Sequence, residues 1–288
     1  MTGRHRLRPI VTIGAVVWLA MVAFHAIAYT ALPWVHPYAE RTGQGASNFR
    51  RPPSWAHWFG TDKTGRDVFS RCVYGARMTL LLTVAAIAVA IVIAAALGIG
   101  AGYFRGRVDG AVSGGTDVML AFPPIILLLF LTAYFEGRHV AGIDLTRKWL
   151  VVIGLIAVAI PQLVRVIRAN TLSEAGNDYV MAAKAIGSPH HRIIGRQLLP
   201  NLMPALITFT FTGLSLLIVA ESGLAFVGQS VPPPEPTWGR MIADGRTDLN
   251  TLWWLSMMPA AVLFLTVLSC NLVGDWLSQR WERPETRV

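Results

Sequence analysis

Four short stretches of this chain carry residues whose types and spacing could do chemistry. Gly60-Thr-Asp-Lys-Thr-Gly65 has the glycine spacing of a phosphate-binding loop. The lysine and hydroxyl that such a loop needs for phosphate and Mg²⁺ are replaced by Arg66 and Asp67, and no buried strand precedes it, so it reads as a structured turn. His190-His191 offers two imidazoles, yet neighbouring residues point to different helix faces and do not share one ion. Glu221 is a carboxylate inside an apolar run. Burying it in hydrocarbon costs on the order of 3 kcal/mol or more unless it is paired, protonated or wet. Glu221 therefore suits either the lining of a transport path or a hydrogen-bonded contact between helices. Asn271 and Gln162 pose the same choice with a lean to packing. The fourth stretch, Asn177 to Asn201, mixes small, basic and turn residues. Nowhere do His, Asp or Glu fall at metal or triad spacing, which argues against a membrane enzyme.

The elements that must hold these residues follow from composition. Of 288 residues 53% are hydrophobic and only 14% charged, against about 25% in an average soluble domain. Mean hydropathy is +0.49. Six windows, 10–32, 80–103, 118–135, 149–164, 205–228 and 253–274, contain a single charged residue, Glu221. A helix needs about 20 apolar residues to cross the hydrocarbon layer. A soluble enzyme, a fibre, a disordered chain and a disulfide scaffold are excluded; the expected fold is an all-α membrane protein with six transmembrane helices. The net charge of +9 is spread over every connection and forms no stripe, so it reads as charge facing headgroups and water, not nucleic acid. Cys72 and Cys270 lie too far apart in sequence to suggest a bridge.

The first window follows Arg4, Arg6 and Arg8 and is longer than a signal-peptide core, so it is read as a retained span despite Ala26-Ile27-Ala28. Residues 1–79 hold this span and a long extracytoplasmic loop, 80–278 form the core with a cytoplasmic connection at 165–200, and 279–288 are a cytoplasmic tail. Pro123-Pro124 must kink the third span. Gly98, Gly100 and Gly102 permit close helix approach. An even number of spans puts both termini on one side, and the amino-terminal arginines place that side in the cytoplasm.

Within 165–200 the residues predict two short helices. Asn177 or Asp178 caps the first and Gly187 ends it in a left-handed conformation. Ser188-Pro189 starts the second, which stops at Pro200. Tyr179, Ala182, Ala183 and Ile186 recur at helical spacing as one apolar face. Eight residues do not hold a helix alone in water, so that face must pack on a partner's groove, on headgroups or on its own bundle.

The phrase Asp178-Tyr-Val-x-Ala-Ala-Lys-Ala-x-Gly187, with Leu199-Pro200-Asn201, is similar to the cytoplasmic "EAA" loop of ABC importer permeases. It resembles most the C-type subunit of the dipeptide/oligopeptide/nickel family. Trp58-Phe-Gly-Thr-Asp-x-x-Gly-Arg-Asp67, Ser70-Arg71, Tyr74-Gly-Ala-Arg77, Gly102-Tyr-Phe104, Glu221-x-x-Leu-x-Phe-Val-Gly228, Trp238-Gly239 and Asn271-Leu-x-Gly-Asp275 follow in the family's order. Met181 stands where the motif has an acid and Gln197 where it has an aliphatic, so coupling through a charge at 181 is ruled out.

The resemblance implies a type I ABC importer transmembrane domain, multi-pass in the cytoplasmic membrane and without catalysis or a cofactor of its own. Its partners would be a homologous permease, two cytoplasmic ATPases that bind ATP and Mg²⁺, an extracytoplasmic substrate-binding protein and the lipid bilayer, with no nucleic acid. Its cargo would be a peptide or a related small solute. Asp178, Tyr179, Ala182, Ala183, Ile186, Gly187 and Pro200 would couple to an ATPase, with Glu221 and Asn271 in the path or between helices. The competing reading is a self-contained secondary transporter or channel that uses Glu221 as its ion or proton site.

Overall fold

A computed structural model describes residues 4–37, 49–137, 139–140, 143–144 and 146–281. Parts of the first loop (38–48) and of the tail (282–288) lie outside the described residues. Helices α1 (Arg4–Ala28), α2 (Val68–Phe104), α5 (Arg147–Glu174), α8 (Leu199–Phe226) and α10 (Trp254–Trp281) are apolar and long enough to cross a bilayer, α8 together with the helical turns before it. Between α2 and α5 come α3 (Gly106–Leu120), α4 (Pro124–Phe135) and a pair of two-residue strands, β1 (His139–Val140) and β2 (Ile143–Asp144). The pair α3 and α4 is bent by 81° at Ala121–Pro123 and makes the sixth span if read as one crossing. The expected kink at Pro123-Pro124 is therefore a sharp corner, with Pro124 opening α4 where its missing N–H costs nothing.

The expected boundaries move in three places, each for a local reason. The division at residues 79 and 80 falls inside α2, because Asp67 caps that helix much earlier. Its Oδ2 accepts from the Ser70 backbone N–H at 2.7 Å and from the Ser70 hydroxyl at 2.8 Å. At about 55 Å, α2 outruns a hydrocarbon layer by several turns. The fourth span continues through Pro161 to Glu174, well past its apolar window. The helix expected to stop at Pro200 does not stop: α7 (His190–Ile193) passes through a π turn, Ile194–Leu198, directly into α8. There the Leu199 N–H reaches back to the Ile194 carbonyl, and the wider turn accommodates a proline that has no N–H to give. The connection 165–200 is thus mostly helix. Its separate short element is α6 (Asp178–Ala185).

Small residues make the core. Ala86, Ala90, Ala94, Gly98 and Gly102 recur every fourth residue on α2 and are buried. They let α5 approach so closely that a β-carbon at Gly98 would stand 2.9 Å from Ile167 and one at Gly102 2.6 Å from Thr171. Gly100, on another face, meets nothing within 4 Å. Helix α1 touches the bundle along a narrow seam of Ala15, Val22 and Ala26, with Trp18 Nε1 donating to Thr266 Oγ1 at 3.1 Å. Ile10, Ile13, Val17, Phe24 and Ile27 on its other faces are exposed, as a helix bathed in lipid requires.

Candidate functional site

The end of the bundle that carries α6 is built around Tyr103, near the last turn of α2. Its hydroxyl lies 2.9 Å from His190 Nδ1, and the two rings meet edge to face. The Lys184 ammonium stands 4.7 Å from the Tyr103 ring centroid. Arg168 on α5 forks onto Asp109 of α3, its Nη2 donating to Oδ2 at 2.7 Å. This binds the start of α3 to α5. One face of α6 is then inserted into the bundle: Val180 is fully buried and Ala183 is 3% exposed, both in the same buried cluster as Ile99, Tyr103, Ile193 and Leu198.

Local chemistry fixes both ends of α6. Asn177 occupies the cap position, but its side chain donates to Glu174 Oε2 at 3.0 Å and does not accept from the helix. The Tyr179 hydroxyl donates to the same oxygen at 2.8 Å. Partial burial and this carboxylate push the Tyr179 phenol up from its ordinary value. At the other end Gly187 has φ +77°, the Ser188 N–H bonds the Ala183 carbonyl and the Gly187 N–H bonds that of Lys184. That is a Schellman ending, and it needs glycine for its backbone angle alone, since no atom crowds the position. The second helix is capped at Pro189, not at Ser188.

The residues expected to pack as one face are not buried together. Ala183 turns inward and Tyr179 is half-buried, whereas Asp178, Ala182 and Ile186 are exposed, Ile186 at 82%. Val180 pulls the buried seam round the helix, because its larger side chain gains more from burial than a second alanine. Ala182, Ala185, Ile186 and Met181 are left as a small apolar step outside the bundle. Pro200 lies half-buried in the first turn of α8. Tyr103, Val180, Arg168 and Asp109 belong to this site without having been assigned a role. The Gly102-Tyr-Phe104 motif was the available signal for the first of them.

Glu221 is fully buried where α8 meets α9 (Trp238–Gly245) and α2. Its Oε1 accepts from the Ser230 hydroxyl at 2.6 Å, the Thr79 and Thr237 hydroxyls are its neighbours, and Oε2 has no hydrogen-bond partner among the described residues. Beside it, Trp238 donates from its backbone to Thr79 Oγ1 at 3.2 Å and from Nε1 to the Cys72 carbonyl at 3.0 Å. Asn271 donates to Ser215 Oγ at 3.0 Å, linking α10 to α8. Gln162 borders an apolar cavity of about 260 Å³ between α4, α5 and α8.

At the opposite end of α2, residues 60–67 form the expected structured turn. Asp62 accepts from the backbone N–H groups of Thr64 (2.8 Å) and Arg66 (2.9 Å), the Thr64 hydroxyl and Arg66 Nε. The N–H groups that would cradle a phosphate are thus occupied by the chain's own carboxylate. Burial alone would raise the Asp62 carboxyl; the Arg66 N–H, the Thr64 hydroxyl and the Arg66 charge outweigh it and hold the group below its ordinary value. Among the described residues no group of three His, Cys, Asp or Glu is placed to hold a metal.

This architecture is that of an ABC importer transmembrane subunit. It matches an inward-facing form of the MetNI methionine ABC transporter with a TM-score of 0.63, covering 74% of this chain and 97% of that one at 19% identity. Residues 94–283 match the family described as binding-protein-dependent transport system inner membrane component, and the chain belongs to that family. It is 34% identical over 260 residues to a putative peptide transport system permease protein of Brucella suis, covering 90% of this chain and 84% of that protein. It is 32% identical over 271 residues to the di/tripeptide transport system permease protein of Pseudomonas aeruginosa (92% and 85% covered). A third relative, the glutathione transport system permease protein of Escherichia coli, is 33% identical over 244 residues (85% and 78% covered).

Proposed function

We propose that this permease carries di- or oligopeptides, or a related small solute, handed to it by an extracytoplasmic binding protein and driven by ATP hydrolysis on separate subunits. The observation that carries this reading is α6: an eight-residue helix clamped to the bundle by one face while Met181, Ala182, Ala185 and Ile186 stand outside it. A small apolar step of alanines and one isoleucine suits seating in a groove of a partner. Motion there passes to α2 through Tyr103 and, through Leu198 and the π turn, to α8. The chain pairs with a homologous permease, each presenting such a helix to one of two cytoplasmic ATPases, and closure of the ATPases rocks the paired bundles. ATP and Mg²⁺ bind those partners; this chain supplies no catalytic group or cofactor, binds no nucleic acid and keeps both termini in the cytoplasm. The peptide assignment is supported by the names of the relatives.

Reconstitution in liposomes with the partner permease, the ATPases and the binding protein tests this. Uptake is expected to stop when the ATPases are omitted and to survive Glu221→Gln. Uptake by this chain alone, abolished by Glu221→Gln, would instead establish the self-contained transporter.

A further inference from the structure

We propose that Arg71 anchors a carboxylate-binding site at the end of the bundle remote from α6. A cavity of about 280 Å³ opens there between the 60–67 turn, the start of α2, α9 and the start of α10. Arg71 lines it and is only 7% exposed, and its Nη1 has no hydrogen-bond partner among the described residues. The closest carboxylate oxygen, Asp62 Oδ2, is 3.8 Å away, beyond hydrogen-bond reach. Both carboxylates that line the cavity are held more closely by another cation, Asp62 by Arg66 at 2.7 Å and Asp244 by Arg240 at 3.0 Å, and the lining Lys63 is itself engaged with Asp248 at 2.5 Å. The buried Arg71 guanidinium is therefore left with the long Asp62 ion pair and no carboxylate within hydrogen-bond reach among the described residues. A buried cation without a hydrogen-bonding anion is costly, and a planar carboxylate fits a guanidinium fork better than any other common anion except phosphate.

The rest of the cavity describes the remainder of the ligand. Val68, Met241 and Leu255 supply an apolar wall for an aliphatic substituent. The carboxylate comes either from the C-terminus of a short peptide or from an acidic side chain of a docking protein. Arg71 and Tyr103 are 32 residues apart on one helix, so the cavity lies about 48 Å from the α6 end. If α6 faces the cytosol, the cavity faces the compartment from which cargo arrives. That assignment of use rests on the proposed function; the existence of the site does not.

The test is protection of a thiol at the cavity mouth. Thr64→Cys supplies the only engineered thiol at an exposed lining position and leaves every ion pair around the cavity in place; both native cysteines are buried, and maleimide labelling is timed on the detergent-purified transporter complex. The probes are N-acetyl-leucine, which offers an α-carboxylate; N-acetyl-glutamic α-amide, which offers a protein-like side-chain carboxylate; and N-acetyl-leucinamide, which offers neither. A carboxylate probe at ten times its half-saturating concentration is expected to slow labelling about tenfold. Arg71→Gln should abolish this protection, and Arg71→Lys, which keeps charge but loses the fork, should retain part of it. Equal unliganded labelling rates show that the cavity is intact; if Arg71→Gln disturbs them, Arg71→Lys carries the comparison. Protection by N-acetyl-leucine alone assigns the carboxylate to a peptide, protection by the glutamyl probe alone assigns it to a docked protein, and protection by both still upholds the site. Protection by no probe, equal protection by the amide, or protection unchanged in both Arg71 variants overturns it. No ATPase activity enters the readout, so failure here is separable from failure of the transport assay.

Discussion

Gly100 and Gly102 stand two residues apart on α2, and what surrounds them makes opposite demands. A methyl group at Gly102 must fit 2.6 Å from Thr171 Cβ and 2.9 Å from the Arg168 carbonyl, a backbone atom that does not move aside. Gly102→Ala is expected to destabilise the α2–α5 contact by about 1–3 kcal/mol through overpacking. Gly100→Ala meets open space and should be neutral or stabilising by up to about 1 kcal/mol, because mid-helix glycine carries an entropic cost. Denaturation of the two purified variants in SDS compares them. Asp62 makes a second prediction at this scale. Its folded-state pKa lies below the ordinary value, so its stabilising contribution is present above about pH 4 and is lost as pH falls through the lowered value. Hydrogen-exchange protection of residues 61–67 should decline on acidification below about pH 4, and Asp62→Asn should remove that decline.

Among the elements, α6 has two faces with separable duties. Val180→Asp places an unpaired carboxylate at a fully buried position and should cost about 3 kcal/mol or more, seen as loss of the folded protein from membranes. Ile186→Glu changes a side chain that is 82% exposed, so abundance and stability should hold while ATP-driven uptake falls. Much of this element was legible in the sequence. Glycine at 187 announced a left-handed ending, and the position of α6 between two apolar windows set it in a connection and not in a span. Its rotation was not legible: Tyr179, Ala182, Ala183 and Ile186 form as good a helical stripe as the seam through Val180 and Ala183. Only the neighbours on α2 and α8 decide between them. Pro200 misled for a related reason, since a stop signal presumes an α-helical hydrogen-bond pattern and the π turn provides another. Five of the six expected spans stand as long apolar helices, and the bent pair α3 and α4 makes the sixth if read as one crossing. They were readable because lipid favours apolar residues along a crossing. The start of α2 at Val68 was not, because its first turns follow a capping aspartate and not hydropathy.

For the whole molecule, α2 is the member that connects the two ends. Its first turn borders the cavity of Arg71, its middle carries the small-residue seam against α5, and its last turn holds Tyr103 against Lys184 of α6 and His190 of α7. On the proposed function, this continuous helix is the route by which a shift of α6 would reach the opposite face in a two-state rocking mechanism. The proposed coupling depends on what touches the outer face of α6. Ile186→Cys is the informative variant, since Ala183, though part of the same motif, is buried and out of a partner's reach. In membranes containing the full transporter, a short bifunctional crosslinker on the thiol introduced by Ile186→Cys is expected to capture an ATPase subunit, with a yield that changes on ATP binding. Labelling of that thiol by an impermeant maleimide in intact cells, with no ATPase captured, would contradict the account by placing this helix on the wrong side of the membrane.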